Sequence, residues 1–221
     1  MNDVDFVRRW FGRIRNFPGN TLKMGSQDLE PYWDENFVAE LEAWGNGTVW
    51  DEIQYFFAGR EGIVLDIACG TGKTIEILSK NKNIEFHGCD ISDLLIAKAV
   101  AKGITKENLS VCDATKMNYA DEQFDYSYSI GSLEHFTEEG IARCIAESSR
   151  VTKRVSFHMV PVSKSGKNQG WIKRVQSYHN NSTEWWLTKF TASYPDVLVL
   201  DSRWKDSISD GKWFVGIKQG S

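Results

Sequence analysis

Ile63-Val64-Leu65-Asp66-Ile67-Ala68-Cys69-Gly70-Thr71-Gly72-Lys73-Thr74 is the stretch on which the reading of this chain turns. Ile63 to Ile67 is short, apolar and rich in β-branched residues, and Gly62 bounds it, so it reads as a strand buried on both faces. From Thr74 to Lys80 the apolar residues Ile75, Ile77 and Leu78 fall at helical spacing. A glycine-rich turn joins the two. Glycine lets backbone approach a ligand closely, and the N–H groups at a helix start are unpaired and face it.

Working outward, the same alternation repeats. Ile84 to Asp90 reads as a second strand, and Ser92 caps a helix running through Leu94, Leu95, Ala97, Lys98 and Ala101. Asp93 suits the positive first turn of that helix, and Gly103 is its stop. Leu109 to Asp113 is a third strand and Phe124 to Ile130 a fourth. Thr137 to Arg150 is an amphipathic helix with Thr137 as cap, and Arg154 to Val160 is a fifth strand stopped by Pro161. Strands alternating with helices predict an α/β fold, doubly wound, with a mainly parallel sheet and helices on both faces. Ligands of such sheets bind outside the carboxyl ends of the strands. That points to the turn after Ile67, to Asp90 and Asp113, and to the segments after Ile130 and Phe157.

Three ligand classes use a glycine turn between strand and helix. A phosphate loop needs G-x-x-x-x-G-K-[ST]; Gly72-Lys73-Thr74 supplies its end, but its opening glycine falls on Ile67. A dinucleotide fingerprint needs G-x-G-x-x-G; counted from Gly70, the third glycine falls on Ile75. The third ligand is S-adenosylmethionine (SAM). Val64-Leu65-Asp66-Ile67-Ala68-Cys69-Gly70-Thr71-Gly72 resembles the first motif of the class I SAM-dependent methyltransferases, an apolar strand, an acidic residue and G-x-G-x-G, with Ala68 in place of the first glycine. Asp90, Asp113-Ala114, Phe124-Asp125 and the run from Ser129 to Phe136 follow in the family's order, so the resemblance covers residues 61–160.

The resemblance implies a seven-stranded sheet with its last strand antiparallel. It also implies methyl transfer from SAM, with S-adenosylhomocysteine as product. Cofactor-binding positions carried over are Asp66, Ala68, Gly70, Gly72, Asp90, Ile91, Asp113, Ala114 and Ile130. Asp90 would accept bonds from the ribose hydroxyls and Asp113 would face the adenine amino group. Singly, each of these aspartates also reads as an ordinary strand-end or turn residue, and Asp66 as a cap for neighbouring backbone. Alignment of acceptor and methyl carbon supplies roughly 7–11 kcal/mol of barrier reduction, and a base about 10²–10⁴ in rate. His135 and His158 are the candidate catalytic bases, each with the alternative of a histidine bonded to backbone. Glu134 stands ready to orient an imidazole or bind a cofactor amine. His87, mid-strand, reads as structural, and His179 as solvated.

Residues 1–60 read as an aromatic, partly helical cap, with a helix near Asp34 to Trp44, and 61–161 as the SAM-binding core. Residues 162–221 hold a polar loop to 181, a helix from Thr183 to Ser193 and strands at Val197 to Leu200 and Lys212 to Ile217, which complete a single domain. The loop's Lys164, Lys167, Lys173 and Arg174 read either as a patch for an anionic acceptor or as a solvated surface. Neither an Asn-Pro-Pro-aromatic motif nor a Pro-Cys pair follows the fourth strand, where Ile130-Gly131-Ser132-Leu133 stands. With 26 basic against 30 acidic residues and a net charge of −4, nucleic acid is not an expected partner. A small molecule or sugar is the expected acceptor, at a hydroxyl oxygen, and the tail from Ser202 to Phe214 is similar to tails of carbohydrate-pathway methyltransferases. The alternatives are a SAM-binding partner subunit without chemistry and an enzyme acting on protein or RNA. An aminopropyltransferase would need clustered carboxylates for a polyamine.

Composition bounds the rest. A chain of 221 residues is long enough for a full core. No stretch approaches the roughly 20 apolar residues of a membrane span, and the start lacks a signal-peptide core, so a cytoplasmic protein is expected. Cys69, Cys89, Cys112 and Cys144 show no CxxC spacing and read as small buried hydrophobes in a reducing compartment; no metal constellation is expected. All nine tryptophans (Trp10, Trp33, Trp44, Trp50, Trp171, Trp185, Trp186, Trp204 and Trp213) lie outside residues 51–170. That distribution suggests a small-residue cofactor core between aromatic flanks for the acceptor.

Overall fold

A computed structural model describes residues 27–173 and 176–218. The first 26 residues of the expected cap, with Trp10, and Arg174 of the basic loop lie outside them.

The apolar run at 63–67 forms β1 (Gly62–Ile67), followed by β2 (Ile84–Asp90), β3 (Leu109–Val111), β4 (Phe124–Ile130) and β5 (Thr152–Ser163). Then come a short ribbon of β6 (Trp171–Lys173) and β7 (Ser177–His179), and finally β8 (Asp196–Lys205) and β9 (Ser209–Ile217). Seven strands make one sheet in the order β3-β2-β1-β4-β5-β9-β8. β1 pairs parallel with β2 and β4, and β4 with β5. β9 runs antiparallel to both β5 and β8, so the last strand is the antiparallel one. The chain winds outward from β1 to β3 and returns to start again at β4. The switch point, where crossovers leave in opposite directions and open a crevice, therefore lies between the carboxyl ends of β1 and β4.

Helices cover both faces. α1 (Glu35–Leu41) and α2 (Val49–Phe57) precede the sheet; α3 (Lys73–Leu78), α4 (Asp93–Ala101), α5 (Glu138–Val151) and α6 (Thr183–Thr191) follow. Residues from α2, α3 and α4 pack with Val64, Tyr128, Phe157, Met159 and Trp213 on one face. α5 and α6, the latter through Trp186 and Phe190, pack with Leu65, Ile67, Val160 and Phe214 on the other. Neighbours such as Val64 and Leu65 go to opposite faces, as strand geometry requires. The caps are as expected: Ser92 Oγ accepts from Leu95 N at 3.2 Å, and Thr137 Oγ1 from Gly140 N at 3.1 Å.

Three expectations need correction. Pro161 does not stop β5, which runs on to Ser163. β4 ends opposite Met159, so Pro161 pairs only with β9, and proline is tolerated where a strand has one neighbour. Residues 162–181 are not a plain loop, since β6 and β7 form a ribbon there; Gln169 and Asn180 clasp its base by a side-chain bond of 2.8 Å. The tryptophans do not all belong to an acceptor-side flank: Trp50, Trp186 and Trp213 are core residues, while among the described residues Trp33 and Trp44 are exposed. Burying each of the former contributes roughly 1.5–3 kcal/mol. Cys69, Cys89 and Cys144 are buried and Cys112 is half-buried, all as free thiols.

Candidate functional site

The turn after β1 holds three residues in the left-handed region: Ala68 (φ 58°), Gly70 (φ 54°) and Gly72 (φ 70°). Cys69 N–H donates to Cys89 O, and Gly72 N–H to Cys69 O, both at 2.9 Å. Ala68 thus adopts a glycine conformation. Left-handed backbone costs an L-residue roughly 1–2 kcal/mol, and glycine's greater chain entropy costs about 0.5–1 kcal/mol. Ala68→Gly is therefore expected to stabilise the protein by about 0.5–1 kcal/mol, read as a melting temperature a few degrees higher.

Asp90, at the carboxyl end of β2, is 6% exposed and ties the turn down. Its Oδ2 accepts from Gly70 N at 2.8 Å and its Oδ1 from Ser92 N at 2.9 Å. Burial pushes its carboxyl up, and these N–H groups pull it back. Ile91 and Ile130 are half-buried beside it and at the end of β4. Asp113 lies two residues beyond β3 and is exposed; its Oδ1 accepts from Thr115 N and Oγ1, both at 2.8 Å, the turn role that the sequence left open. Ala114 is buried in the core beneath it. Asp66 is buried inside β1, where desolvation raises its carboxyl well above the usual range and the neighbouring Tyr128 hydroxyl pulls it back.

The segment 28–34 crosses this rim and is fastened at both ends. On one side Ser92 Oγ donates to Tyr32 O at 2.6 Å, and Trp33 Nε1 to Asp93 Oδ1 at 2.9 Å. On the other, Ser177 N donates to Asp28 Oδ2 at 3.0 Å and Gln176 Nε2 to Asp28 O at 3.3 Å. Behind α1, Glu42 meets Thr71 Oγ1 in the glycine turn and the ammonium of Lys102. Sequence reasoning missed Asp28, Tyr32, Glu42 and Gln176. Their partners are 29 to 149 positions away, and no local pattern signals such pairs.

The two candidate bases part company. His135, on the single 3-10 turn after β4 (Leu133–His135), keeps a side chain 17% exposed. Its Nδ1 bonds Ser177 O at 2.9 Å. A carbonyl only accepts, so Nδ1 carries the hydrogen and Nε2 has the free lone pair. Burial lowers its pKa to about 4, so the ring is neutral at pH 7. His158 corrects the expectation. It is wholly buried, and its bonds go to serine hydroxyls, Ser129 at 2.8 Å and Ser148 at 3.2 Å, so no acceptor reaches it. Desolvation lowers its pKa to about 3. The unfolded chain binds that proton below about pH 6.5 and the folded chain does not until about pH 3, so stability falls as pH drops through this window. His158→Gln is expected to flatten the slope of unfolding free energy against pH between 6.5 and 4 by about one proton, in denaturant titrations.

Other assignments shift too. His179 is not solvated: it is 8% exposed and lies between the rings of Trp171 at 4.7 Å and Trp185 at 5.1 Å. Of the basic loop, Lys173 pairs with Asp28 at 3.7 Å and Lys164 with Asp210 at 3.7 Å; Lys167 is exposed. His87 bonds Glu85 at 2.8 Å, mid-strand.

Three buried carboxyls, Asp66, Asp90 and Glu134, stand at the carboxyl ends of β1, β2 and β4. Among the described residues no cation is among the groups acting on any of them. Glu134 Oε2 is buried without a hydrogen-bond partner, whereas the Asp66 carboxyl and the Tyr128 hydroxyl act on each other. Unpaired buried polar atoms are costly, so this rim suits a ligand that brings donors and positive charge.

A family model described as a methyltransferase domain matches residues 64–154. The mouse Probable tRNA methyltransferase 9B is 33% identical over 105 residues, which are 46% of this chain and 22% of that protein. A tRNA (carboxymethyluridine(34)-5-O)-methyltransferase of Arabidopsis thaliana is 37% identical over 101 residues, 45% of this chain and 24% of that one. The chain thus spans less than a quarter of the length of these relatives. A 1,6-didemethyltoxoflavin-N1-methyltransferase of Burkholderia thailandensis, crystallised with 1,6-didemethyltoxoflavin and S-adenosylhomocysteine, superposes with a TM-score of 0.67 at 15% identity, over 86% of this chain and 84% of that one. Among the described residues no helix is long and apolar enough to cross a membrane.

Proposed function

We propose that this chain, which belongs to the class I SAM-dependent methyltransferases through residues 64–154, binds SAM over the carboxyl ends of β1–β3 and methylates a hydroxyl oxygen of a small molecule or sugar. The observation that carries the proposal is Asp90 pinning the left-handed glycine turn beside the switch point, within a rim of buried carboxyls on which, among the described residues, no cation acts. SAM is a cation with ammonium and ribose donors, so its chemistry matches these unmet acceptors. When bound, it supplies an electrophilic methyl carbon on a sulfonium leaving group. The chain's own residues then have separate tasks. Asp90 accepts the ribose hydroxyls through lone pairs that Gly70 and Ser92 leave open. Residues 113–114 border the base. The fastened segment 28–34 excludes water. His135 Nε2, held in one tautomer by Ser177 O, takes the acceptor's hydroxyl proton as the oxygen is methylated.

An RNA acceptor is the second reading, favoured by the two relatives named for tRNA. Against it stands the surface: Lys164 and Lys173 are engaged by acidic partners, and the net charge is −4. Incubation with SAM and a panel of sugars, phenols, small acids and tRNA, read by mass spectrometry, tests both. One added CH₂ on a small hydroxyl compound supports the first reading, and modification of tRNA alone replaces it with the second. Failure of folded protein to bind SAM removes both.

A further inference from the structure

Glu134 has no task in the scheme above, yet its setting is unusual. It is 4% exposed on the 3-10 turn after β4. Its Oε2 has no partner, and its Oε1 faces His135 Nε2 at 3.8 Å, beyond hydrogen-bond range. Burial lifts its carboxyl to about 8. The cations beside the glycine turn, Lys73 and Lys102, are both drawn to Glu42. β2, which ends at Asp90, and β4, which leads into the turn that carries Glu134, are the two neighbours of β1, so these carboxyls lie on either side of its carboxyl end. Asp90 is tied there to Gly70 of the glycine turn.

We propose that Glu134 binds the primary ammonium at the amino-acid end of the cofactor. The inference rests on the SAM reading of the site. The orphaned Oε2 lone pairs need a hydrogen donor, and a sulfonium has none, whereas an ammonium has three. A carboxylate–ammonium contact out of water is among the stronger hydrogen bonds available to a protein. It would also remove the cost of leaving this carboxyl buried and unpaired.

The test is calorimetry of wild type and Glu134→Gln with two ligands: S-adenosylhomocysteine, and methylthioadenosine, which has the nucleoside but no amino-acid end. Glu134→Gln is expected to lose about 10- to 100-fold in affinity for S-adenosylhomocysteine and to keep its affinity for methylthioadenosine within twofold. Unchanged affinity for S-adenosylhomocysteine, or an equal loss for both ligands, overturns the inference while leaving the SAM reading intact. A wild type that binds neither ligand overturns the SAM reading itself. If the variant does not fold, wild type is compared on S-adenosylhomocysteine and its deaminated analogue. A loss of tenfold or more without the amine supports the proposal, and equal affinities overturn it.

Discussion

Asp90→Ala is expected to weaken binding of SAM and S-adenosylhomocysteine by roughly 100-fold or more. Two hydrogen bonds from ribose hydroxyls to a carboxylate, at about 1.5–3 kcal/mol each, account for that factor. The same carboxylate also satisfies Gly70 N and Ser92 N, so its loss leaves two inward N–H groups without acceptors. Each unsatisfied group costs about 1–3 kcal/mol, so the variant should melt earlier as well. Calorimetry at a temperature where circular dichroism shows folded protein separates the two effects. Asp90→Asn, which keeps a side-chain oxygen for the turn, should recover part of the stability and little of the affinity. Wild-type affinity in folded Asp90→Ala would remove Asp90 from the site.

Gly72→Ala is expected to destabilise the fold by about 2–5 kcal/mol, a fall of roughly 4–20 °C in melting temperature. Two causes add. At φ 70° the backbone is left-handed, and a Cβ there would stand 2.2 Å from Ile104 Cδ1 and 3.2 Å from Ala99 Cβ. Gly70 provides the contrast. Its φ is 54°, but a Cβ there would meet only Leu41 Cδ1 at 3.8 Å. Gly70→Ala should therefore cost only the backbone term, about 1–2 kcal/mol. Equal melting temperatures for the two variants would contradict the packing argument. The difference also shows why glycines in one motif are not equivalent: Gly72 lets α4 close against the turn, and Gly70 leaves its outer side open.

How much of this was legible beforehand follows the range of each interaction. β1, β2 and β4 begin and end within a residue of their expected limits, because β1 is an apolar, β-branched run after a glycine and β4 and the start of β2 alternate apolar with polar residues, patterns that a short segment carries by itself. Ser92 and Thr137 were recognisable as caps because a cap bonds a backbone N–H three residues on. Pro161 misled because its local meaning, a strand stop, depends on whether a second strand lies alongside, and β4 ends just short of it. His158 misled for a similar reason. Its strand position beside the rim was right, but alternation turned its ring into the core, where Ser129 and Ser148 hold it.

Period, turn chemistry and cap spacing are properties of a few neighbouring residues. They were enough to settle the α/β alternation, the glycine turn and the place of Asp90 at a strand end. The segment 28–34 over the rim, the clasp of Asp28 by Ser177, the grip of Glu42 on Thr71 and Lys102, and the lack of a hydrogen-bond partner for Glu134 Oε2 among the described residues needed the folded chain. Contacts spanning dozens of residues leave no periodic trace in the sequence. Whether a carboxyl is solvated or stranded depends on what the rest of the molecule packs around it.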